Sequence, residues 1–203
     1  PEVSNILHKD EITQRNKYSC PQALIKMHPK FDKVIKKILQ KDKKAEIIFI
    51  KDKKELLSKQ FYARLSKNIT VGIERIKFID RLKTEEFINH CGRSSVLLDP
   101  LFFGSGNSFH ESMFYGTPTV TMPTNYLKSR IVLGAYKQMN INNAPIVNTI
   151  DNYVEKCIDI ANEKKEKSFE FKFYLKSQAE KKLFEKIEFV RELEKIFISV
   201  VKK

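Results

Sequence analysis

Short apolar runs alternate with longer amphipathic segments along most of this chain. The runs are a few residues long and rich in β-branched side chains, as buried strands are. They predict strands at residues 45–50, 75–79, 95–99 and 119–122, and a weak strand at residues 145–147. The amphipathic segments predict helices at residues 51–68, 84–91, 107–115, 126–139 and 151–162. Strands that alternate with helices in this way favour an α/β fold, here a Rossmann-like parallel sheet flanked by helices.

The alternation divides the chain into three parts. Residues 18–163 form the predicted Rossmann-like domain, and residues 1–17 are either a linker or an ordered lead-in segment. Residues 164–203 are rich in lysine and glutamate and predict C-terminal helices that end in Phe184–Val201. Because the chain begins with Pro1 and not with Met, we expect it to be a piece of a longer polypeptide.

The most informative stretch is residues 97–123, LLDPLFFGSGNSFHESMFYGTPTVTMP. It predicts a buried strand, a glycine loop, a helix, a tight turn and another buried strand. Gly104 and Gly106 carry no Cβ, so the backbone can approach a ligand closely at this loop. The helix that begins at Asn107 or Ser108 presents unpaired N–H groups and a partial positive charge to the same gap. The expected ligand is an anion, most often a phosphate, although the loop matches neither the P-loop nor the G-x-G-x-x-G pattern.

One acidic residue, Glu111, lies one turn into that helix, and it has two possible roles. Its carboxylate can accept hydrogen bonds from two ribose hydroxyls of a nucleotide. Alternatively, Ser108 and Glu111 form an S-x-x-E capping box at the start of the helix. One rotamer of Glu111 cannot do both.

A second candidate segment is QALIKMHPKFD, residues 22–32, which Pro21 and Pro29 bracket. Lys26 follows a first strand and can reach the same cleft, where it would neutralise a diphosphate without a metal; a surface charge is the alternative. Pro29 is expected in the first turn of the next helix, where proline is tolerated. Arg130 follows the fourth strand and either faces the cleft or lies on a helix surface.

The charge balance is strongly basic, with 38 lysine and arginine residues against 25 aspartate and glutamate residues, a net charge of +13. Only seven of the basic residues are arginine, and the lysines are mixed with glutamates along helices. No arginine-and-aromatic pattern typical of nucleic-acid binding accompanies them. We therefore expect solvated helix faces and no nucleic-acid partner.

The cysteine and histidine residues do not indicate a metal site. Cys20, Cys91 and Cys157 are far apart and odd in number, which favours reduced thiols in the cytoplasm. His28 and His110 have no partner at a metal-ligand spacing, so we expect packing or surface roles for both. No apolar run approaches the ~20 residues of a membrane helix, so no membrane contact is expected.

Several segments together resemble a known family. They are CPQALIKMHPKFD, VLLDPLFFGSGNSFHESMFYGTPTVTMPTNYLKSRIVLGAYKQM, DNYVEKCIDIA and FVRELEKIF. They resemble the carboxyl-terminal part of bacterial O-GlcNAc transferase-like proteins, the SPINDLY-type members of glycosyltransferase family 41, from about Tyr18 to Lys203. The GTPTVTMP segment and the G-N-S/T-x-x-E loop are specific in combination.

The resemblance implies the GT-B architecture, in which two Rossmann-like halves enclose the active site. This chain would be the second half, which holds UDP. By the same resemblance, Lys26 contacts the diphosphate, the loop Gly106, Asn107 and Ser108 holds the phosphates, and Glu111 binds the uridine ribose.

Three further residues are assigned to the possible cleft of such a half. They are Gln22, Gly104 and Arg130. The family carries a glutamine three residues before the diphosphate lysine, where this chain has Ala23, with Gln22 one step earlier.

The resemblance also implies an activity: inverting transfer of N-acetylglucosamine from UDP to Ser or Thr hydroxyls of proteins, with no metal or other cofactor. The catalytic residues and the helical repeats that hold acceptor proteins are expected in an N-terminal half outside this sequence. The terminal helix would cross back to that half, and this chain alone would bind nucleotide weakly and catalyse little. Two alternatives stay open, a GT-B half that acts on a glycan or lipid and a non-catalytic sugar-nucleotide-binding module.

Overall fold

A five-stranded parallel sheet forms the centre of the computed structural model, which describes residues 3–184 and 187–201. The strands are β1 (Lys17–Cys20), β2 (Glu46–Ile50), β3 (Ile76–Ile79), β4 (Val96–Leu98) and β5 (Thr119–Val120). Their order in the sheet is β3-β2-β1-β4-β5, and every neighbouring pair is parallel. The predicted Rossmann-like fold class is confirmed.

Helices flank or follow this sheet. They are α1 (Lys9–Ile12), α2 (Phe31–Lys41), α3 (Glu55–Asn68), α4 (Thr84–Arg93), α5 (Asn107–Ser112), α6 (Ile131–Gln138), α7 (Ile150–Asn162), α8 (Lys165–Lys182) and α9 (Ile187–Val201). The largest core cluster joins α2, α3 and α7 to one face of the sheet, where Tyr18 and Phe49 are fully buried. Side chains alternate along a strand, so Ser19 points to the opposite face and meets His90 of α4.

Several predicted boundaries were wrong for local reasons. The helix expected at residues 51–68 begins at Glu55, because Asp52 accepts a hydrogen bond from the Lys54 amide and forms a turn first. The helix expected at residues 126–139 is a 3-10 turn at Leu127–Ser129 followed by α6. Pro29 lies before α2 and not in its first turn.

The predicted strand at residues 119–122 pairs in full only at Thr119–Val120. Beyond it, a single parallel bridge joins Thr121 to Ile146, and this bridge is all that forms of the weak strand expected at residues 145–147. β5 is therefore the last regular strand on this side of the sheet.

The lead-in segment packs against the domain on the side of α4. Leu7 is buried, and its amide donates a hydrogen bond of 3.0 Å to the Tyr115 hydroxyl. The Asn89 side chain of α4 donates to the Asn5 carbonyl at 3.0 Å. The short helix α1 therefore has a defined place beside α4.

Helix α8 is joined to the domain by an almost completely buried lysine. The Lys172 ammonium donates hydrogen bonds to the carbonyls of Ile12, Gly92 and Ser94 at 2.7, 2.9 and 2.7 Å. Burial lowers the pKa of Lys172 to about 7. Gly116 lies directly against the α8 backbone, so the first C-terminal helix is part of the domain's packing.

The last helix, α9, exposes its apolar side chains. Leu193, Ile196 and Phe197 are each about half exposed or more. The predicted helix at Phe184–Val201 is confirmed from Ile187 onward, and residues 185 and 186 lie outside the described residues. None of the helices in the described part of the chain has the length and apolarity needed to cross a membrane.

Candidate functional site

The sheet order places a crevice between β1 and β4. The connection after β1 leads to β2 on one side, and the connection after β4 leads to β5 on the other. In open parallel sheets, ligands bind outside the carboxyl ends of the strands at such a switch point. The segment that contains Lys26 follows β1, and the glycine loop follows β4, so both candidate segments lie at this crevice.

Lys26 links these two segments through hydrogen bonds. Its ammonium donates to the Gln22 side-chain oxygen at 2.9 Å and to the Gly104 carbonyl at 3.1 Å. The Gln22 amide nitrogen in turn donates to the Ser108 hydroxyl at 2.5 Å. The structure therefore brings together Lys26, Gln22, Gly104 and Ser108, which lie up to 86 residues apart in sequence.

The Lys26 ammonium is half-buried in this cluster. Its burial lowers the pKa of Lys26, while the nearby Asp99 carboxylate acts in the opposite direction. The ammonium also lies over the Phe103 ring, 4.7 Å from its centroid. A partly desolvated cation of this kind interacts more strongly with an incoming anion than a fully hydrated one.

The start of α5 does not contain the capping box that was one alternative for Ser108 and Glu111, and the ribose role of Glu111 stays a prediction. The helix begins at Asn107 with Gly106 at its N-cap, and a Cβ added at Gly106 would meet no atom within 4 Å. The capping box does not form, because the N-cap is Gly106 and Ser108 lies inside the helix, where its hydroxyl accepts from Gln22. In the described chain the half-buried Glu111 carboxylate has no hydrogen-bond partner, so it stays available to a ligand.

Gly104 has a different role from the one expected. A Cβ at Gly104 would lie 2.8 Å from an oxygen of the Asp99 carboxylate, and its amide already donates to the Lys128 carbonyl at 2.9 Å. The missing side chain makes room for Asp99 and not for a ligand. Only the Gly104 carbonyl faces the Lys26 ammonium.

Asp99 is the residue that sequence reasoning missed. It follows β4, is almost completely buried, and accepts hydrogen bonds from the Ser105 amide at 2.6 Å and the Thr121 hydroxyl at 2.6 Å. Burial raises the pKa of Asp99 to about 6, although these hydrogen bonds act in the opposite direction. Asp99 therefore holds the glycine loop against β5. The sequence signal that could have identified it is an aspartate at the end of an apolar strand and just before a glycine loop.

Within the described residues, Arg130 forms no hydrogen bond or ion pair with the Lys26 cluster. Its guanidinium is exposed and donates to the Thr124 carbonyl at 3.0 Å. The preceding turn reaches the site instead through Lys128, whose ammonium lies 5.2 Å from the centroid of Phe103. Sequence spacing alone could not distinguish these neighbouring cations.

Ser19 of β1 and His90 of α4 form a partly buried polar pair. The Ser19 hydroxyl and the His90 Nε2 atom are 2.7 Å apart. Burial lowers the pKa of His90 to about 4, with a smaller contribution from Arg93. His90 therefore stays neutral at physiological pH and joins α4 to the sheet.

The shifted pKa values of Asp99 and His90 predict opposite pH dependences of the free energy of unfolding. The raised pKa of Asp99 makes the folded state bind more protons than the unfolded state between about pH 4 and 6, so this group's contribution falls as pH rises. The lowered pKa of His90 has the reverse effect, and its contribution is lost as pH falls from about 6.5 to 4. From pH 4.5 to 6.5, we expect the stability difference between parent and variant to shift by about 2 kcal/mol in opposite directions for Asp99→Asn and His90→Asn.

Urea unfolding at several pH values measures these differences. Taking each variant against the parent at the same pH removes the contribution of the other titrating groups. Shifts of the same sign for both variants would contradict the two assignments.

The other polar groups near the loop do not form a metal site. Across residues 3–184 and 187–201, no group of three histidine, cysteine, aspartate or glutamate side chains is arranged to hold a metal ion. The three cysteines are free and buried, and burial raises the pKa of each thiol. His28 packs against Phe102, and the His110 ring lies 3.3 Å from the Gly106 carbonyl.

A pocket of about 200 Å³ opens beside Gln22 at the carboxyl ends of β1, β2 and β3. Gln22 therefore contacts Lys26 and Ser108 and also lines this pocket. Its other lining residues are Pro21, Ala23, Ile50, Lys51, Asp52, Arg81, Leu82 and Phe87.

The sequence matches no protein-family model and no curated protein. Solved structures of similar fold are found instead. A mutant of the Thermobaculum terrenum O-GlcNAc transferase superposes with a TM-score of 0.81 at 16% identity, over 97% of this chain and 37% of that chain. A mutant of S. aureus TarM, in complex with fondaparinux, alpha-GlcNAc-glycerol and UDP, gives a TM-score of 0.59 at 14% identity over 88% of this chain and 34% of that chain.

The trehalose-6-phosphate synthase OtsA gives a TM-score of 0.61 at 13% identity, over 99% of this chain and 48% of that chain. This chain thus spans less than half the length of each of these proteins. At sequence identities this low, the structural similarity shows the fold alone. The chain has the fold of one half of a GT-B glycosyltransferase, with helices at its C-terminal end.

Proposed function

We propose that this chain is the UDP-binding C-terminal half of an inverting, metal-independent glycosyltransferase that transfers N-acetylglucosamine to Ser or Thr hydroxyls of proteins. The observation that carries the proposal is the Gln22–Lys26–Ser108 cluster at the switch point of a GT-B half. The structural likeness to an O-GlcNAc transferase supports the donor and the acceptor class, and a similar fold was solved with UDP bound.

The diphosphate would occupy the gap between Lys26 and the start of α5. The ammonium of Lys26 supplies a full positive charge, and the amides of Asn107 and Ser108 precede the first hydrogen bond of the helix. The open space beside Gly106 lets a phosphate approach these amides. Gln22 holds Lys26 and Ser108 on either side of the gap.

The nucleoside would lie between Glu111 and the pocket beside Gln22. Glu111 is in the second turn of α5, beyond the phosphate amides, and can accept hydrogen bonds from the ribose hydroxyls. The pocket of about 200 Å³ offers the Leu82 and Phe87 side chains to the flat uracil ring.

The chemical contribution of this half is stabilisation of the leaving group. When the bond between the sugar and the diphosphate breaks, negative charge develops on the oxygen of the β-phosphate. The Lys26 ammonium and the α5 amides are already oriented towards that position, so little reorganisation is needed as the charge appears. The base that activates the acceptor hydroxyl is expected in an N-terminal half outside this sequence.

Calorimetry with UDP, run with and without EDTA, tests the proposal. We expect binding in both conditions with the same dissociation constant. No heat at millimolar UDP from a folded sample would overturn the proposed function. A requirement for a divalent metal would overturn its metal-independent part.

Glu111→Gln tests the ribose assignment. A lost charge-assisted hydrogen bond costs about 1.5 kcal/mol, so we expect UDP to bind about tenfold more weakly. The ligand 2′-deoxy-UDP should bind the parent more weakly and be less sensitive to the same substitution. Glu155→Gln, on the exposed face of α7, is the matched control. Equal affinity of the parent and Glu111→Gln for UDP would contradict the assignment.

A further inference from the structure

We propose that the loop Phe102–Phe103, with Lys30 and Lys128, forms an acceptor subsite that binds acidic polypeptide segments. This inference rests on the proposed function and deepens it, because it names the chemistry of the acceptor around the modified Ser or Thr. The four residues are called the Phe–Lys rim below.

Phe103 lies against two ammonium groups at the crevice. The ammonium of Lys26 is 4.7 Å from the ring centroid, and that of Lys128 is 5.2 Å from it. Phe103 is 41% exposed although it is a large apolar residue. Two positive charges therefore lie against one aromatic ring, and an anion at this place would be attracted to both.

Phe102 extends this arrangement away from the diphosphate gap. The Lys30 ammonium lies 5.7 Å from its ring centroid, and the His28 ring packs edge-on against it at 4.6 Å. Phe102 has φ of 70°, a conformation that is costly for a bulky side chain. The surrounding contacts keep this conformation, which is a pattern found at functional sites.

The ammonium groups of the rim are not neutralised by ion pairs in the part of the chain that the structure describes. Among the described residues, Lys26, Lys30 and Lys128 make no ion pair with a carboxylate. Asp99, the acid that acts on the Lys26 charge, is buried and its oxygens accept from Ser105 and Thr121. A ligand that brings carboxylate or phosphate groups would supply the missing negative charge.

Exposed apolar side chains near the rim indicate a polypeptide and not a single sugar. Ile25 is next to Lys26 and is 79% exposed, and Leu127 is next to Lys128 and is 82% exposed. Aromatic rings, aliphatic side chains and ammonium groups together fit a segment in which acidic residues alternate with apolar ones. Such a segment would lie beside the diphosphate gap, where an acceptor hydroxyl must come.

Fluorescence anisotropy with a labelled peptide tests the proposal. The peptide carries one Thr flanked by Asp, Glu and Leu, and the comparison peptide has Asn and Gln in place of the acids. We expect the acidic peptide to bind at least tenfold more tightly at low salt, and to lose affinity as salt is raised. Binding is measured with and without UDP.

Three variants and one control locate the binding. We expect Lys30→Gln, Lys128→Gln and Phe103→Ser each to weaken binding of the acidic peptide about threefold to fivefold, and Lys30→Gln to leave UDP affinity unchanged. Lys43→Gln, an exposed lysine just beyond α2, should change neither affinity.

Three outcomes would overturn the inference: equal binding of both peptides, no loss in the rim variants, or equal affinity for an oligothymidylate of the same net charge. Peptide binding that is retained by a chain that does not bind UDP would overturn the proposed function and leave the Phe–Lys rim standing. The reverse result, UDP binding without peptide binding, would overturn the Phe–Lys rim alone.

Discussion

Lys26→Met is expected to weaken UDP binding by about 30-fold while the domain stays folded. Methionine keeps the length of the side chain and removes the ammonium that lies between Gln22 and the Gly104 carbonyl. Truncating one partner of a partly buried charge pair costs at least about 2 kcal/mol, which corresponds to this factor.

Uridine distinguishes a lost phosphate contact from a damaged site. It has no phosphates, so its weak binding should be unchanged by Lys26→Met if the nucleoside pocket is intact. Lys43→Met is the matched control on an exposed lysine, and its UDP affinity should equal that of the parent. The assignment of Lys26 to the diphosphate is wrong if Lys26→Met and Lys43→Met bind UDP equally well.

Gly116→Ala is expected to lower the free energy of unfolding by about 4 kcal/mol, the range of the most damaging single substitutions. Gly116 has φ of 64°, which favours glycine, and a Cβ there would lie 1.9 Å from the Lys172 carbonyl oxygen. The nearest atoms belong to the backbone of α8, so no side chain can move aside. Helix α8 would have to move outward, and the three hydrogen bonds of the Lys172 ammonium would weaken with it.

Gly134→Ala provides the matched control for this change. Gly134 lies within α6, and a Cβ there would meet no atom within 4 Å. Alanine is the better helix former, so we expect a gain of roughly 0.5–1 kcal/mol. Chemical denaturation of both variants measures the difference, and a loss below 1 kcal/mol for Gly116→Ala would contradict the close packing of α8.

The strand predictions from the sequence came close because buried parallel strands have a strong local signature. Residues 45–50 and 75–79 are short apolar runs, and they became β2 and β3 within one residue at each end. The predicted first residues of the helices were less accurate. The start of α3 at residue 55 instead of 51 follows the turn in which the Asp52 carboxylate accepts from the Lys54 amide, and periodicity does not report such a bond.

The two glycines of the loop also show which features the sequence predicts and which it does not. The sequence placed Gly104 and Gly106 in one ligand-binding role. In the structure, Gly106 has open space beside it, while Gly104 is packed against Asp99. A missing Cβ is visible in the sequence, but what occupies the space depends on how the loop folds back towards Asp99 at the end of β4.

The sequence by itself determined the alternation of strands and helices, the glycine loop before α5, and the candidate residues Lys26, Ser108 and Glu111. These features depend on neighbours within a few positions of each other, which a linear pattern records. The tertiary structure alone decided that Gln22 joins Lys26 to Ser108, that Asp99 holds the loop, and that α8 packs on Gly116. The contacts of Gln22 with Ser108 and of Gly116 with α8 join residues tens of positions apart, which a linear pattern does not record. The order of the strands in the sheet places the segment after β1 beside the loop after β4, and so brings Gln22 to Ser108.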